Sequence, residues 1–187
     1  MRWTLTAFAV FLTLLAPAAE AQNAQFKGLT VLSQGLSTRI APASKPFELD
    51  AFTVSDGLDD LLGAWSGFGA EHSFQNGKPN AINVVLLRLT LGGFAKSLAS
   101  NCTVPRLSLN ERFAATLKKV CAWPAPEAAS DAVLSGFWLG VMGYDAPQAE
   151  YVTWRDFFRS KYAGKPGPET VEAMTFAIMM NPYFLLH

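Results

Sequence analysis

The chain has 187 residues, with 15 basic and 15 acidic side chains, and hydrophobic residues make up 50% of it. Formal neutrality removes the electrostatic case for nucleic acid or an anionic membrane surface as partner. The apolar and aromatic content excludes a disordered chain. Two cysteines and two histidines leave little material for a metal site or imidazole chemistry.

Residues 1–21 (MRWTLTAFAVFLTLLAPAAEA) read as a secretory signal peptide: Arg2 supplies the charged start and residues 7–15 the apolar middle. Ala19-Glu20-Ala21 is a small-x-small cleavage site that makes Gln22 the first mature residue. The apolar stretch is shorter than the roughly 20 residues of a spanning helix and is interrupted by Pro17. The expectation is therefore export, to a periplasm or the extracellular space. Membrane contact through retained residues 1–21 is the competing expectation, and the charge balance does not support it.

Residues 22–54 carry mixed signals. Residues 29–32 and 47–54 suit short strands, and residues 33–45 have the Gly, Ser, Pro and Ala content of a loop. The expectation is an extended N-terminal arm over residues 22–54, wrapped on a helical domain of residues 55–187.

Residues 56–65 (DGLDDLLGAW) suggest a short helix, with Asp56 as cap and Asp59 and Asp60 at its positive end. These aspartates do not follow the EF-hand ligand pattern, so no metal is expected. A bend-rich passage follows, with Asn76-Gly77 as a turn. It contains Glu71 and His72. A carboxylate beside an imidazole can share acid–base work, so Glu71 and His72, with Asp59 nearby, are the catalytic candidates for a small secreted hydrolase. Adjacent residues in such a passage often point apart, and solvation accounts for them equally well.

Residues 80–102 (NAINVVLLRLTLGGFAKSLASNC) are the densest apolar run outside the N-terminus and are too long for a single strand. Asn80 can cap a helix start. Ile82, Val85, Leu86, Leu89, Phe94 and Leu98 roughly follow helical spacing, Val84, Leu87 and Leu91 add apolar surface on other sides, and Arg88 and Lys96 are the only charges. A helix apolar nearly all round is normally buried on several sides. Gly92 and Gly93 each cost about 1 kcal/mol relative to alanine inside a helix, so either another backbone packs closely there or the helix bends or breaks.

Cys102 and Cys121, in an exported chain, most simply form one disulfide. Their spacing is not that of a CxxC redox pair. Ser108-Leu109-Asn110-Glu111 reads as a capping box, with Leu109, Phe113, Leu117 and Val120 forming the apolar face of the helix it opens. From Leu109 to Cys121 that helix spans about 18 Å, whereas bonded cysteine Cα atoms lie about 4.4–6.8 Å apart. Residues 103–107, with Pro105 suited to an extended connector, should therefore run extended for nearly the same length, and the helix should return along it.

After a PAPEAAS linker, residues 130–143 form a third large helix, with Gly136, Gly140 and Gly143 on about one side. In a membrane such a ridge dimerises helices; in an exported domain it means close packing. Pro147 opens the next helix, whose stripe of Tyr151, Trp154, Phe158 and Tyr162 can be core or ligand surface. Pro168 and Glu169 open the last helix, Asn181-Pro182 ends it, and the apolar YFLLH end should dock.

The fold class is mainly α: a single-domain irregular helical bundle of about five or six helices with an extended N-terminal arm and one disulfide. No nucleophile elbow, phosphate loop, zinc-protease or haem motif occurs, and no cofactor is expected. The leading functional expectation is an exported non-catalytic binding or accessory protein of the cell envelope with a protein or small-ligand partner. The hydrolase and a membrane-associated envelope component are the alternatives.

Overall fold

The computed structural model describes residues 29–52, 81–143 and 147–186. Among them are seven α-helices in chain order: α1 (Leu29–Ile40), α2 (Ala81–Ser100), α3 (Glu111–Val120), α4 (Asp131–Met142), α5 (Gln148–Lys161), α6 (Gly167–Met179) and α7 (Pro182–Leu185). A single 3-10 turn spans Leu49–Phe52, and the described residues hold no β-strand. The mainly α fold is as expected.

The expected extended arm is corrected over its described part, because residues 29–40 are helical. Leu29, Leu32, Leu36 and Ile40 recur at helical spacing and are buried, with Ser33 and Ser37 beside them. The serines and Gly35 gave this segment the composition of a loop. Both serines are instead acceptors: Ser33 Oγ takes the Leu49 N–H at 2.8 Å and Ser37 Oγ the Phe47 N–H at 3.1 Å. Two hydroxyls one helical turn apart thus satisfy buried backbone donors that would otherwise cost stability. They hold residues 47–52 against α1, and Phe47 and Phe52 then meet Phe94 of α2 at ring distances of 5.2 Å each.

Helix α2 is central, packing along α6 and against the 3-10 turn. Its buried face is Leu87, Thr90, Leu91, Phe94, Ala95, Leu98 and Ala99. Val85, expected in the core stripe, is 55% exposed. In a sequence apolar on every side, periodicity does not say which side faces inward. The helix runs unbroken through Gly92 and Gly93, so of the alternatives a break does not occur.

Cys102 and Cys121 form a disulfide with Cα atoms 5.3 Å apart. The chain turns at residues 101–103 and makes a short excursion without regular structure to Asn110. The extended run expected over residues 103–107 is corrected, because Leu107 folds back onto Asn101. Asn101 steadies this excursion: its Oδ1 accepts from the Arg106 and Leu107 N–H groups and its Nδ2 donates to Leu107 O. Helix α3 starts at Glu111 rather than at Ser108, because Asn110 is the cap, accepting the Phe113 N–H at 2.9 Å. The same residue fastens α1, donating from Nδ2 to Arg39 O at 2.7 Å and from its backbone to Ile40 O at 2.8 Å.

Helices α3 and α4 pack through the glycine ridge. A Cβ on Gly140 would lie 2.5 Å from the Phe113 ring, and one on Gly136 would lie 3.6 Å from Thr116. Phe113 and Phe137 stack with centroids 5.7 Å apart. The ridge therefore packs against α3 within the chain at Gly136 and Gly140, the close packing expected of it. Gly143 ends α4 with φ +76°, a backbone shape that favours glycine. Arg39 lies over it and donates to the last carbonyls, Nη2 to Val141 O at 2.8 Å and Nε to Gly140 O at 3.3 Å. A cation at the negative end of a helix is favourable.

The disulfide corner meets the start of α6. A Cβ on Gly167 would fall 1.9 Å from the carbonyl oxygen of Cys121, so backbone touches backbone there. Trp123 adds a hydrogen bond from Nε1 to Tyr162 O at 2.7 Å. At the C-terminal end, Asn181 caps α7 by accepting the Tyr183 N–H, and Phe184 and Leu185 are buried as the apolar tail implied. Buried side chains from every helix join one contiguous hydrophobic cluster.

Candidate functional site

Three groups of residues compete as a site. Glu71, His72 and Asp59, the candidates for acid–base catalysis, lie outside the described residues, as do Asp56, Asp60 and His187. Among the described residues no group of three or more His, Cys, Asp or Glu is placed to hold a metal ion, and no helix is long and apolar enough to cross a membrane.

The second group is the aromatic stripe of α5. Tyr151, Trp154 and Phe158 are all buried and pack in sequence: Trp154 lies 5.2 Å from Trp138, 6.2 Å from Tyr151 and 5.3 Å from Phe158. The stripe is core, with area burial and aromatic contacts as its contribution.

A polar strip borders it. Asp131, at the first turn of α4, accepts from Arg155 Nη1 at 3.0 Å, Arg159 Nη2 at 3.3 Å and the Tyr151 hydroxyl at 3.3 Å. Arg155 also donates from Nε to Asp156 at 2.8 Å. That hydrogen bond holds the Asp156 carboxyl below its ordinary range. Burial, then the charge of Asp131, pushes the Tyr151 hydroxyl above its ordinary value. Each charge already has a partner, and the Asp131 side chain is 62% exposed. Exposed pairs of this kind contribute little; the strip orients α5 on α4.

The third group is the outward side of α2 and α6. Along α2, Val85, Arg88, Leu89, Gly92, Gly93 and Lys96 face a groove of about 540 Å³, closed on its other side by Glu172 and Phe176 of α6. It continues past Ala95, Glu169 and Ala173 as a second hollow of about 250 Å³. The floor is mostly hydrocarbon. Arg88 lies over the Phe176 ring with its guanidinium carbon 5.9 Å from the centroid, within cation–π range.

Gly92 borders both hollows. Among the described residues a Cβ there would meet only Phe176 Cε2, at 3.8 Å, an ordinary contact. The backbone approach expected at the glycine pair is therefore absent at Gly92 within the described residues. The pocket is long, open and shallow, which suits a chain segment or helix laid along it better than an engulfed small molecule.

Sequence reasoning marked Gly92, Gly93, Arg88 and Lys96 but missed the groove as a site. The missing information was that α6 lies alongside α2. The available signal was the pair of glycines in a helix too apolar to be exposed by accident. Compared with known protein families, curated proteins and solved structures, the chain has no match in any of the three.

Proposed function

We propose that the chain is an exported, non-catalytic helical binding or accessory protein of the cell envelope, with the α2–α6 groove as its docking surface. The partner is a helical protein surface with an apolar stripe, an acidic edge to lie over α2 and a basic edge to lie over α6. The observation that carries this reading is the apolar floor at Gly92, bordered by Arg88 and Lys96 on one wall and Glu169 and Glu172 on the other. Apolar anchoring between charged edges is how a helix-in-groove contact combines affinity with register. The signal-peptide pattern of residues 1–21 supports export, and the disulfide is consistent with an oxidising compartment.

Two measurements test this. Intact-mass analysis of the chain recovered from the envelope or medium is expected to give a start at Gln22 with the disulfide closed; a cytoplasmic protein starting at Met1 overturns export. The mature chain, immobilised in extract of its own envelope fraction, is expected to retain a partner that Val85→Glu and Gly92→Leu both release. Retention indifferent to both substitutions removes the groove as the docking surface.

A further inference from the structure

The two helices that wall the groove carry charges of one sign each. Helix α2 has Arg88 and Lys96 and no acidic residue; helix α6 has Glu169 and Glu172 and no basic one. Within the described residues this segregation is largely unused. Among the described residues no ion pair joins the two walls, and Glu169 pairs with Lys165, just before its own helix, at 2.8 Å. Arg88 rests on an aromatic ring instead.

A surface of this pattern is complementary to itself. Half a turn about a line along the groove exchanges its walls, so a second copy placed by that operation lays its α2 over the first copy's α6. Self-complementary patches related by a two-fold axis are the commonest route to a closed dimer. The level along the groove also agrees. Ala95 and Gly92 border the same hollow as Glu169 and Glu172, so Lys96, next along α2, stands at the height of the acidic pair.

The glycines supply a second, independent reason. Glycine at these positions costs α2 about 1 kcal/mol each relative to alanine. At Gly92 nothing among the described residues calls for that cost, since a Cβ would make only an ordinary contact with them. A helix approaching from outside does call for it, because it can come close only where the floor is bare.

We propose that the groove is a contact between two copies of this chain, with Lys96 of each copy paired to Glu172 of the other across the Gly92–Gly93 step. This rests on the reading of the groove as a docking surface and names its occupant.

The test is sedimentation velocity of the mature, disulfide-closed chain over a concentration series, at low and high salt. A concentration-dependent dimer, weakened by salt, is expected. Lys96→Glu and Glu172→Lys are each expected to weaken it about tenfold, equivalent to about 1.4 kcal/mol, and the double variant to recover most of the loss. Gly92→Leu is expected to abolish the dimer. Both charged positions are exposed, and circular dichroism checks that every variant keeps its helices. A wild type monomeric at all concentrations overturns the proposal, as does a dimer insensitive to both charge reversals. If the wild type is monomeric yet the envelope partner is still released by Val85→Glu, the second copy is refuted and the groove stands. If neither dimer nor partner appears, both readings fall.

Discussion

Helices α4 and α2 both spend glycines, and they use them in opposite directions. In α4, the face of Gly140 is filled from within by the Phe113 ring, which would sit 2.5 Å from any added Cβ. In α2, the nearest described atom to a Cβ on Gly92 is in Phe176, at 3.8 Å, and the space beside it is an open groove among the described residues. The same residue type at the same helical cost thus marks a completed internal contact in one helix and an unfilled groove in the other. What distinguishes them is the nearest atom a methyl group would meet.

Substitutions at the glycines and at the disulfide corner test this contrast. The largest effect belongs to the corner serving both regions: Cys102 follows α2 and Cys121 follows α3. Replacing both cysteines by serine should cost about 3 kcal/mol of unfolding free energy in the chain-entropy model, measured by urea titration. Gly167→Ala should cost about 2–3 kcal/mol, because its methyl meets the rigid backbone of Cys121. A smaller loss, read from the same titration, would mean that α6 slides easily against the corner.

Gly140→Ala sets about 2 kcal/mol of overpacking on Phe113 against about 1 kcal/mol of helix gain, for a net loss of about 1 kcal/mol. Gly92→Ala carries the same gain without the clash. In the monomer it should stabilise by about 1 kcal/mol, seen as a raised Tm at low protein concentration. A loss of stability at Gly92 would show that its space is already taken, and the contrast with α4 would collapse.

The smallest effect is a pH dependence confined to the internally packed side. Tyr151 holds its proton more tightly folded than unfolded, through burial and then Asp131. The unfolded chain therefore loses the proton first as pH rises past about 10. The stability this group contributes is complete below that pH and lost as pH climbs through the folded value. Absorbance titration of the phenolates should show Tyr151 ionising late, and Asp131→Asn should bring its titration down.

How much of this was legible in the residues follows from the same physics. Helices α4, α5 and α6 were readable to within about two residues because each has a start signal and a one-sided apolar pattern. The disulfide followed from two cysteines in one chain, but the extended run that the distance argument called for is replaced by a loop closed on Asn101, whose amide the sequence did not mark. Helix α1 was not readable, since its buried serines bind the chain that follows rather than cap or turn their own segment. The start of α3 was misplaced by a box-like sequence whose capping was done by Asn110. Which face of α2 looks inward was hidden by its uniformity, and with it the groove, which needs two helices distant in sequence to exist at all.

Arg39 has a consequence for synthesis. The carbonyls it satisfies belong to Gly140 and Val141, 101 and 102 positions later in the chain. A chain made from its N-terminus delivers α1 long before α4, and closing so wide a span carries a loop-entropy cost that nearer contacts do not. The early ties of α1 to residues 47–52 can form at once, whereas the side of α1 that meets α4 stays without that neighbour until α4 has been made.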